Sequence, residues 1–161
     1  MVNVYIGVGG NLGNARETIS TATETLKAYS EINFCKTSSF YSSVPLSGDS
    51  QPQYINAVWK IKTSFTPIAL LDVLQKIEAQ FGRVRSEERW ASRTLDLDIL
   101  LFGNEKIAHP RLSIPHPEML LRDFVLIPLH EISCNLSIPG FGLISDAVNN
   151  CENRGLKKLS S

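Results

Sequence analysis

The stretch Leu95-Asp96-Leu97-Asp98-Ile99-Leu100-Leu101-Phe102 decides how the rest of the chain is read. Its length and apolar content predict a strand, and a strand sends alternate side chains to opposite faces. Asp96 and Asp98 then share one face, while Leu97, Ile99 and Leu101 point to the other. A strand acidic on one face and apolar on the other suits a sheet with helices on one side only.

The neighbouring segments agree. Val2, Val4, Ile6 and Val8 alternate with Asn3, Tyr5, Gly7 and Gly9, which predicts a half-buried strand ending in a glycine turn. Asn11 to Asn14 leads into a helix over 14–29 with the apolar stripe Ile19, Ala22, Leu26 and Tyr29. Residues 32–41 and 54–63 read as the second and third strands, separated by a long, mobile loop rich in Pro, Gly, Ser, Asp and Gln. Thr66-Pro67 opens a second helix that carries Leu70, Leu74, Ile77 and Phe81 to a stop at Gly82. Residues 83–94 form a second polar loop, and the quoted strand follows.

The order strand, helix, strand, strand, helix, strand predicts an α+β, ferredoxin-like βαββαβ core. Its sheet is mainly antiparallel, with helices on one face and the active site on the open face. Prolines from residue 110 onward and helical patterns at 117–131 and 141–150 predict a C-terminal helical extension that folds back on the sheet. The whole of 1–161 reads as a single domain.

Charge narrows the function. Acidic and basic residues balance at 16 each, so no global field draws nucleic acid or an anionic membrane, and any anion site must be local. The longest apolar runs, such as Ile99–Phe102, are far too short to span a bilayer, and the first ten residues carry no signal-peptide pattern. Cys35, Cys134 and Cys151 are odd in number and widely spaced, which predicts reduced, buried thiols in a cytoplasmic protein.

Two carboxylates side by side on a sheet face repel and call for a compensating cation. Magnesium held by one or two carboxylates together with substrate phosphates meets that need. Two acids two residues apart also describe an ordinary solvated strand face. Half of the eight arginines, Arg83, Arg85, Arg89 and Arg93, crowd the segment just before the strand, with Arg111 and Arg122 beyond it. Guanidinium groups fork onto phosphate oxygens, so a polyphosphate substrate fits; Glu87 and Glu88 among them also fit a surface ion-pair loop. Gln75 and Glu78, one turn apart, read equally as a solvated helix face, Tyr54 and Phe124 as core aromatics, and His116 as a structural corner. His109 and His130 receive no role. Gly7, Gly9 and Gly13 imitate a dinucleotide fingerprint, but the element order is wrong for a doubly wound sheet and the partner acid is missing. The rival classes are a ferredoxin-like RNA-binding or ligand-sensing module, and a magnesium-dependent nucleotide transferase with another acceptor.

The segment Arg89-Trp-Ala-Ser-Arg-Thr-Leu-Asp-Leu-Asp-Ile-Leu100 resembles the signature of 6-hydroxymethyl-7,8-dihydropterin pyrophosphokinases of folate biosynthesis. The likeness extends to Gly82–Arg85, Leu101–Glu105, Gly9 with Asn11-Leu12, Ser39–Tyr41, Gln51-Pro52 with Tyr54 and Asn56, and Pro115-His116. It implies transfer of the β,γ-pyrophosphate of ATP, the co-substrate, to the pterin hydroxymethyl group, with release of AMP. Asp96 and Asp98 would bind two magnesium ions, and Asp98 would also be the candidate acceptor of the hydroxyl proton. Arg83 and Arg93 would contact the transferring group, with Arg85 and Trp90 closing over it. Gln75, Ile99, Arg111, Ser113, His116 and Arg122 would line the ATP site. Tyr54 and Phe124 would sandwich the pterin, while Asn56 and the Ser43, Val44 and Leu46 segment read its edge. Small-molecule substrates alone and a monomer are implied.

The sequence departs from the common pattern of that family at Gly10, where serine is usual, and at Val44, where proline is frequent. Ser43 and Ser113 stand where threonine is common, and Pro117 follows His116 in place of an aromatic. Altered affinity or loop behaviour, rather than lost activity, is the expected consequence.

Overall fold

The computed structural model describes residues 1–10, 15–43, 54–81, 95–153 and 155–159. Strand β1 (Val2–Gly10) is central, pairing antiparallel with β4 (Tyr54–Thr63) on one side and β5 (Asp96–Phe102) on the other. The far edge of β4 carries both β2 (Ile32–Thr37) and β3 (Tyr41–Ser43). Helices α1 (Ala15–Lys27) and α2 (Pro67–Phe81) complete the expected βαββαβ order. The Thr66 hydroxyl accepts the Ala69 N–H at 3.3 Å and so caps α2.

One sheet face is dry. Val4, Ile6 and Val8 of β1, Trp59 and Ile61 of β4, and Leu97 and Ile99 of β5 meet Ile19, Leu26, Leu70, Leu74 and Ile77 of the two helices. Each buried aliphatic side chain of this kind stabilises the fold by about 1.5–3 kcal/mol.

The chain after β5 wraps onto the other face. A hairpin of β6 (Ile107–His109) and β7 (Leu112–Ile114) precedes α3 (Asp123–Ile132). A second hairpin, β8 (Ser137–Ile138) with β9 (Gly142–Leu143), leads into α4 (Ile144–Asn150). Finally β10 (Lys157–Lys158) pairs with β3. Val125, Leu126 and Leu129 of α3 and Ile144 and Ala147 of α4 pack on Tyr5, Val58, Leu100 and Leu101 of the sheet. The extension thus covers part of this face and leaves the end with Gly7, Gly9, Asn56, Asp96 and Asp98 lining a cavity.

Five expectations need correction. The strand read over 32–41 is two strands: the Ser38 N–H donates to the Val58 carbonyl at 2.9 Å, and the Ser38 hydroxyl accepts the Val58 N–H at 2.9 Å. A side chain that stands in for a backbone carbonyl interrupts the ladder. Leu101 does not join Leu97 and Ile99, because β5 is bulged: Tyr5 faces Leu101 and Ile6 faces Ile99, leaving Leu100 as an extra residue. Leu100 and Leu101 therefore both pack on the second face. Gly7, Gly9 and Gly10 lie inside β1 rather than in a turn, and none has positive φ. Cys35 and Cys134 are exposed and Cys151 half-buried, all three as free thiols, so they are not buried spacers. Ser42 and Ser43, read as the start of the first loop, belong to β3; the rest of that loop, the helix lead at 11–14, the loop at 83–94 and the Gly82 stop lie outside the described residues.

Candidate active site

Two cavities meet at Asp98. The first, of about 600 Å³, has a floor of Gly7 and Gly9 from β1, Asn56 and Tyr54 from β4, and Ser43 from β3. Its wall is Asp123 and Phe124 of α3 with Arg122, and Leu121 and Leu156 sit at its rim. Asp96 and Asp98 close one end. The second cavity, of about 340 Å³, lies between α2, β5 and the β6–β7 hairpin, and Asp98 lines it as well.

The β1 glycines explain why the first cavity exists. Gly7 is the register partner of Asp98 and Gly9 that of Asp96; on the other side Gly9 faces Asn56. A Cβ at Gly7 would stand 3.3 Å from the Leu100 side chain, and one at Gly9 3.4 Å from Asn56 Oδ1. Side chains here would fill the floor between the carboxylates and the amide. These glycines supply space, in ordinary extended backbone.

The Asn56 side-chain amide donates to the Ser43 hydroxyl at 2.9 Å, which fixes its orientation on the floor. Arg122 is paired with the Glu118 carboxylate, and its guanidinium lies 5.5 Å from the centroid of the Phe124 ring. One face of Phe124 is thereby covered by a cation.

The second cavity is polar. Arg111, from the hairpin turn, donates to Asp72 Oδ1 at 2.6 Å and to Gln75 Oε1 at 3.1 Å on α2. That exposed pair adds little stability but holds the guanidinium beside the cavity. The His116 backbone N–H donates to the Leu100 carbonyl at 3.0 Å, so the β5 bulge is what anchors this corner. His116 Nδ1 accepts the Glu118 N–H at 3.2 Å, which places the proton of the neutral ring on Nε2. Burial pushes the imidazole below its ordinary value of 6.5; Asp98 opposes that shift, Arg122 adds to it and Glu118 opposes it.

Glu78 is not on a solvated helix face. It is buried, lines the second cavity and accepts the Leu97 N–H at 2.9 Å. Strand β5 ends the sheet, so its outward amides need partners from elsewhere, and Glu78 supplies one between the two aspartates. A signal for this was present in the sequence: Glu78 falls four residues after Leu74 and three before Phe81, on the apolar stripe of α2. Asp123, buried in the first turn of α3, and Glu118 are further site groups without such a signal.

The residues singled out from sequence separate cleanly. Ser43, Tyr54, Asn56 and Phe124 converge on the first cavity, and Gln75, Ile99, Arg111, Ser113 and His116 on the second. Arg122, grouped with the second set from sequence, lines the first cavity. Val44, Leu46, Arg83, Arg85, Trp90 and Arg93 lie outside the described residues. No group of three or more His, Cys, Asp or Glu side chains gathers among the described residues. Magnesium does not need one: one or two carboxylates suffice when water and phosphate complete the shell, and half-buried Asp96 with exposed Asp98 fit that role.

The fold is shared with solved HPPK-DHPS structures. A Plasmodium falciparum HPPK-DHPS chain superposes with a TM-score of 0.74 at 16% identity, covering 92% of this chain and 45% of that one. An HPPK-DHPS structure in complex with substrates gives 0.73 at 14% identity, covering 92% and 43%. The chain thus spans less than half the length of those solved chains, and at such identity the likeness defines the α+β architecture alone.

Sequence comparison is more specific. Residues 5–134 match the 7,8-dihydro-6-hydroxymethylpterin-pyrophosphokinase (HPPK) family, and the chain belongs to it. A 2-amino-4-hydroxy-6-hydroxymethyldihydropteridine pyrophosphokinase of Haemophilus influenzae is 45% identical over 160 residues, 99% of each chain. Its Pseudomonas aeruginosa counterpart is 40% identical over 156 residues, 97% of this chain and 96% of that one. The chain is a pyrophosphokinase that moves pyrophosphate from ATP to hydroxymethyldihydropterin in folate biosynthesis.

Proposed function

We propose that the first cavity takes the pterin, the second takes ATP, and Asp96 and Asp98 hold two magnesium ions where the cavities meet. The observation that carries this reading is the position of Asp98 as a wall of both cavities. A group passed between two substrates must travel past a shared wall, and a carboxylate there is suited to organise it.

In the first cavity a flat heteroaromatic ring lies between Tyr54 and the face of Phe124 that Arg122 leaves free, an arrangement worth about 0.5–1.5 kcal/mol beyond buried area. Asn56, held by Ser43, reads the ring edge with polar groups of the Val44 and Leu46 segment. In the second cavity Gln75, Ile99, Arg111, Ser113 and His116 hold the nucleotide. Arg122, which lines the first cavity, contacts phosphate from the pterin side in this reading.

The hydroxymethyl oxygen attacks the β-phosphorus, the bond from that phosphorus to the α,β-bridging oxygen breaks, and AMP departs with the electron pair. Asp98 takes the hydroxyl proton. Arg83 and Arg93 neutralise the moving pyrophosphate, with Arg85 and Trp90 over it. Magnesium supplies charge neutralisation and alignment of the phosphate oxygens.

The six-stranded sheet, with a hydrophobic cluster packed on each of its faces, supports one domain, and a monomer acting on small molecules completes the reading. No helix among the described residues is long and apolar enough to cross a membrane. The net charge of +0 gives no basis for nucleic-acid binding, and the free thiols are in keeping with a cytoplasmic setting.

The test is a pair of titrations. Tyr54→Ala should weaken the pterin and spare ATP, and Arg111→Ala should do the reverse. Both variants weakening the same ligand would refute the division. Turnover that persists after magnesium is chelated would refute the metal assignment.

A further inference from the structure

Away from both cavities, three elements are tied to one carboxylate. Glu131 lies seven residues after Phe124 on α3, two turns on, so the two side chains share a helix stripe. Its Oε1 accepts the Tyr41 hydroxyl at 2.5 Å. Its Oε2 accepts the Ser39 N–H at 3.0 Å and the Ser39 hydroxyl at 2.9 Å. The Tyr41 ring is buried, so the anchor on β3 is firm. Strand β10 joins the same point: Lys158 pairs with Tyr41, and the Leu159 N–H donates to the Phe40 carbonyl at 2.8 Å. The Lys158 charge, with these hydrogen bonds, holds Glu131 ionised against the opposing effect of burial.

Two of the tied elements line the first cavity and the third borders it. Helix α3 brings Phe124, β3 brings Ser43 and, through it, Asn56, and β10 follows directly on Leu156. Glu131, Ser39 and Tyr41 do not line that cavity themselves. The tie therefore works as a spacer between the wall and the floor.

We propose that Glu131 is a positioning residue for the pterin: by fastening α3 to β3 it sets the gap between Phe124 and the Tyr54–Asn56 side of the slot. This rests on the reading that the ring lies in the first cavity. Stacking depends on separation to a few tenths of an ångström, so a loosened wall weakens ring binding before it alters anything at the second cavity.

The experiment is steady-state kinetics with each substrate varied at saturation of the other. Glu131→Ala should raise the pterin KM about tenfold, with the ATP KM and the kcat at saturating pterin within about twofold of the parent. Glu131→Gln keeps one acceptor oxygen for the two Ser39 donors and presents its NH2 to the Tyr41 hydroxyl oxygen, so it should recover part of that loss. Tyr41→Phe deletes one bond and keeps the ring, so it should show the same split at about threefold, and it provides the readout if the alanine variant does not fold. Leu26→Ala, in the opposite core, should lower the Tm and leave the pterin KM unchanged.

Unchanged pterin KM in Glu131→Ala, beside a raised one in Tyr54→Ala, would overturn the spacer while leaving the pocket reading intact. Equal rises in both KM values, or a loss of kcat alone, would also overturn it. An unchanged pterin KM in Tyr54→Ala would remove the pocket reading, and the spacer with it.

Discussion

The two cavities that share Asp98 differ in kind. The first is broad, floored by glycine and flanked by the Tyr54 and Phe124 rings, with the Asn56 amide fixed in place by Ser43. The second is smaller and lined by a buried carboxylate, an arginine held by α2 and a histidine whose backbone is tied to the β5 bulge. A flat ring is recognised by shape, whereas a nucleotide with several anionic oxygens is recognised by placed charge. The contrast arises from one strand. Before Leu100, alternation sends Asp96 and Asp98 to the open face; at Leu100 the bulge brings the carbonyl that anchors His116.

The sharpest way to break the comparison is to remove what the cavities share. Asp98→Ala should lower kcat by at least about a hundredfold, measured as AMP release at saturating magnesium. Its Tm should stay close to the parent's, because Asp98 is exposed. Near-normal turnover would end the shared-wall idea.

Next is the support beneath that wall. Glu78→Ala strands the Leu97 amide and should cost about 1–3 kcal/mol in denaturant unfolding. Both KM values should rise, since β5 borders both cavities.

Tyr54→Ala should weaken pterin binding about tenfold by calorimetry, with ATP binding unchanged. Arg111→Ala should weaken ATP about threefold, a smaller effect because its partners already hold it in an exposed pair.

The smallest effect concerns pH. Glu131 titrates below its ordinary value of 4.5: burial opposes ionisation, but the Tyr41 and Ser39 hydrogen bonds and Lys158 outweigh it. The folded chain then binds fewer protons than the unfolded one, so this stabilisation is present above about pH 4.5 and is lost as pH falls through the lowered value. The Tm difference between parent and Glu131→Gln should shrink on acidification. A difference that grows instead would contradict the sign.

Much of this was legible in the chain itself. The period-2 alternation of β1, the apolar stripes of α1 and α2 and the Thr66 cap are local patterns, and the structure reproduces them. Asp96 and Asp98 share a face because β5 is regular from Asp96 to Ile99, where two residues return a side chain to the same side. What escaped the reading depends on partners far away in sequence. The break at Ser38 needs Val58, and the burial of Glu78 needs the outward amide of Leu97. Gly7 and Gly9 looked like a turn because a side chain's absence reads the same in sequence whether it frees the backbone or opens a floor.

By itself, then, the sequence determined the order and type of the elements, the facing of the two aspartates and, through its motifs, the family and reaction. These depend on local stereochemistry and on residue identities in a row. Only the tertiary structure decided which part of the open face the C-terminal extension covers, that β5 bulges at Leu100, and that Asp98 stands between two cavities. The reason is physical: register, burial and empty space belong to pairs of segments brought together across the chain, and no single segment encodes them.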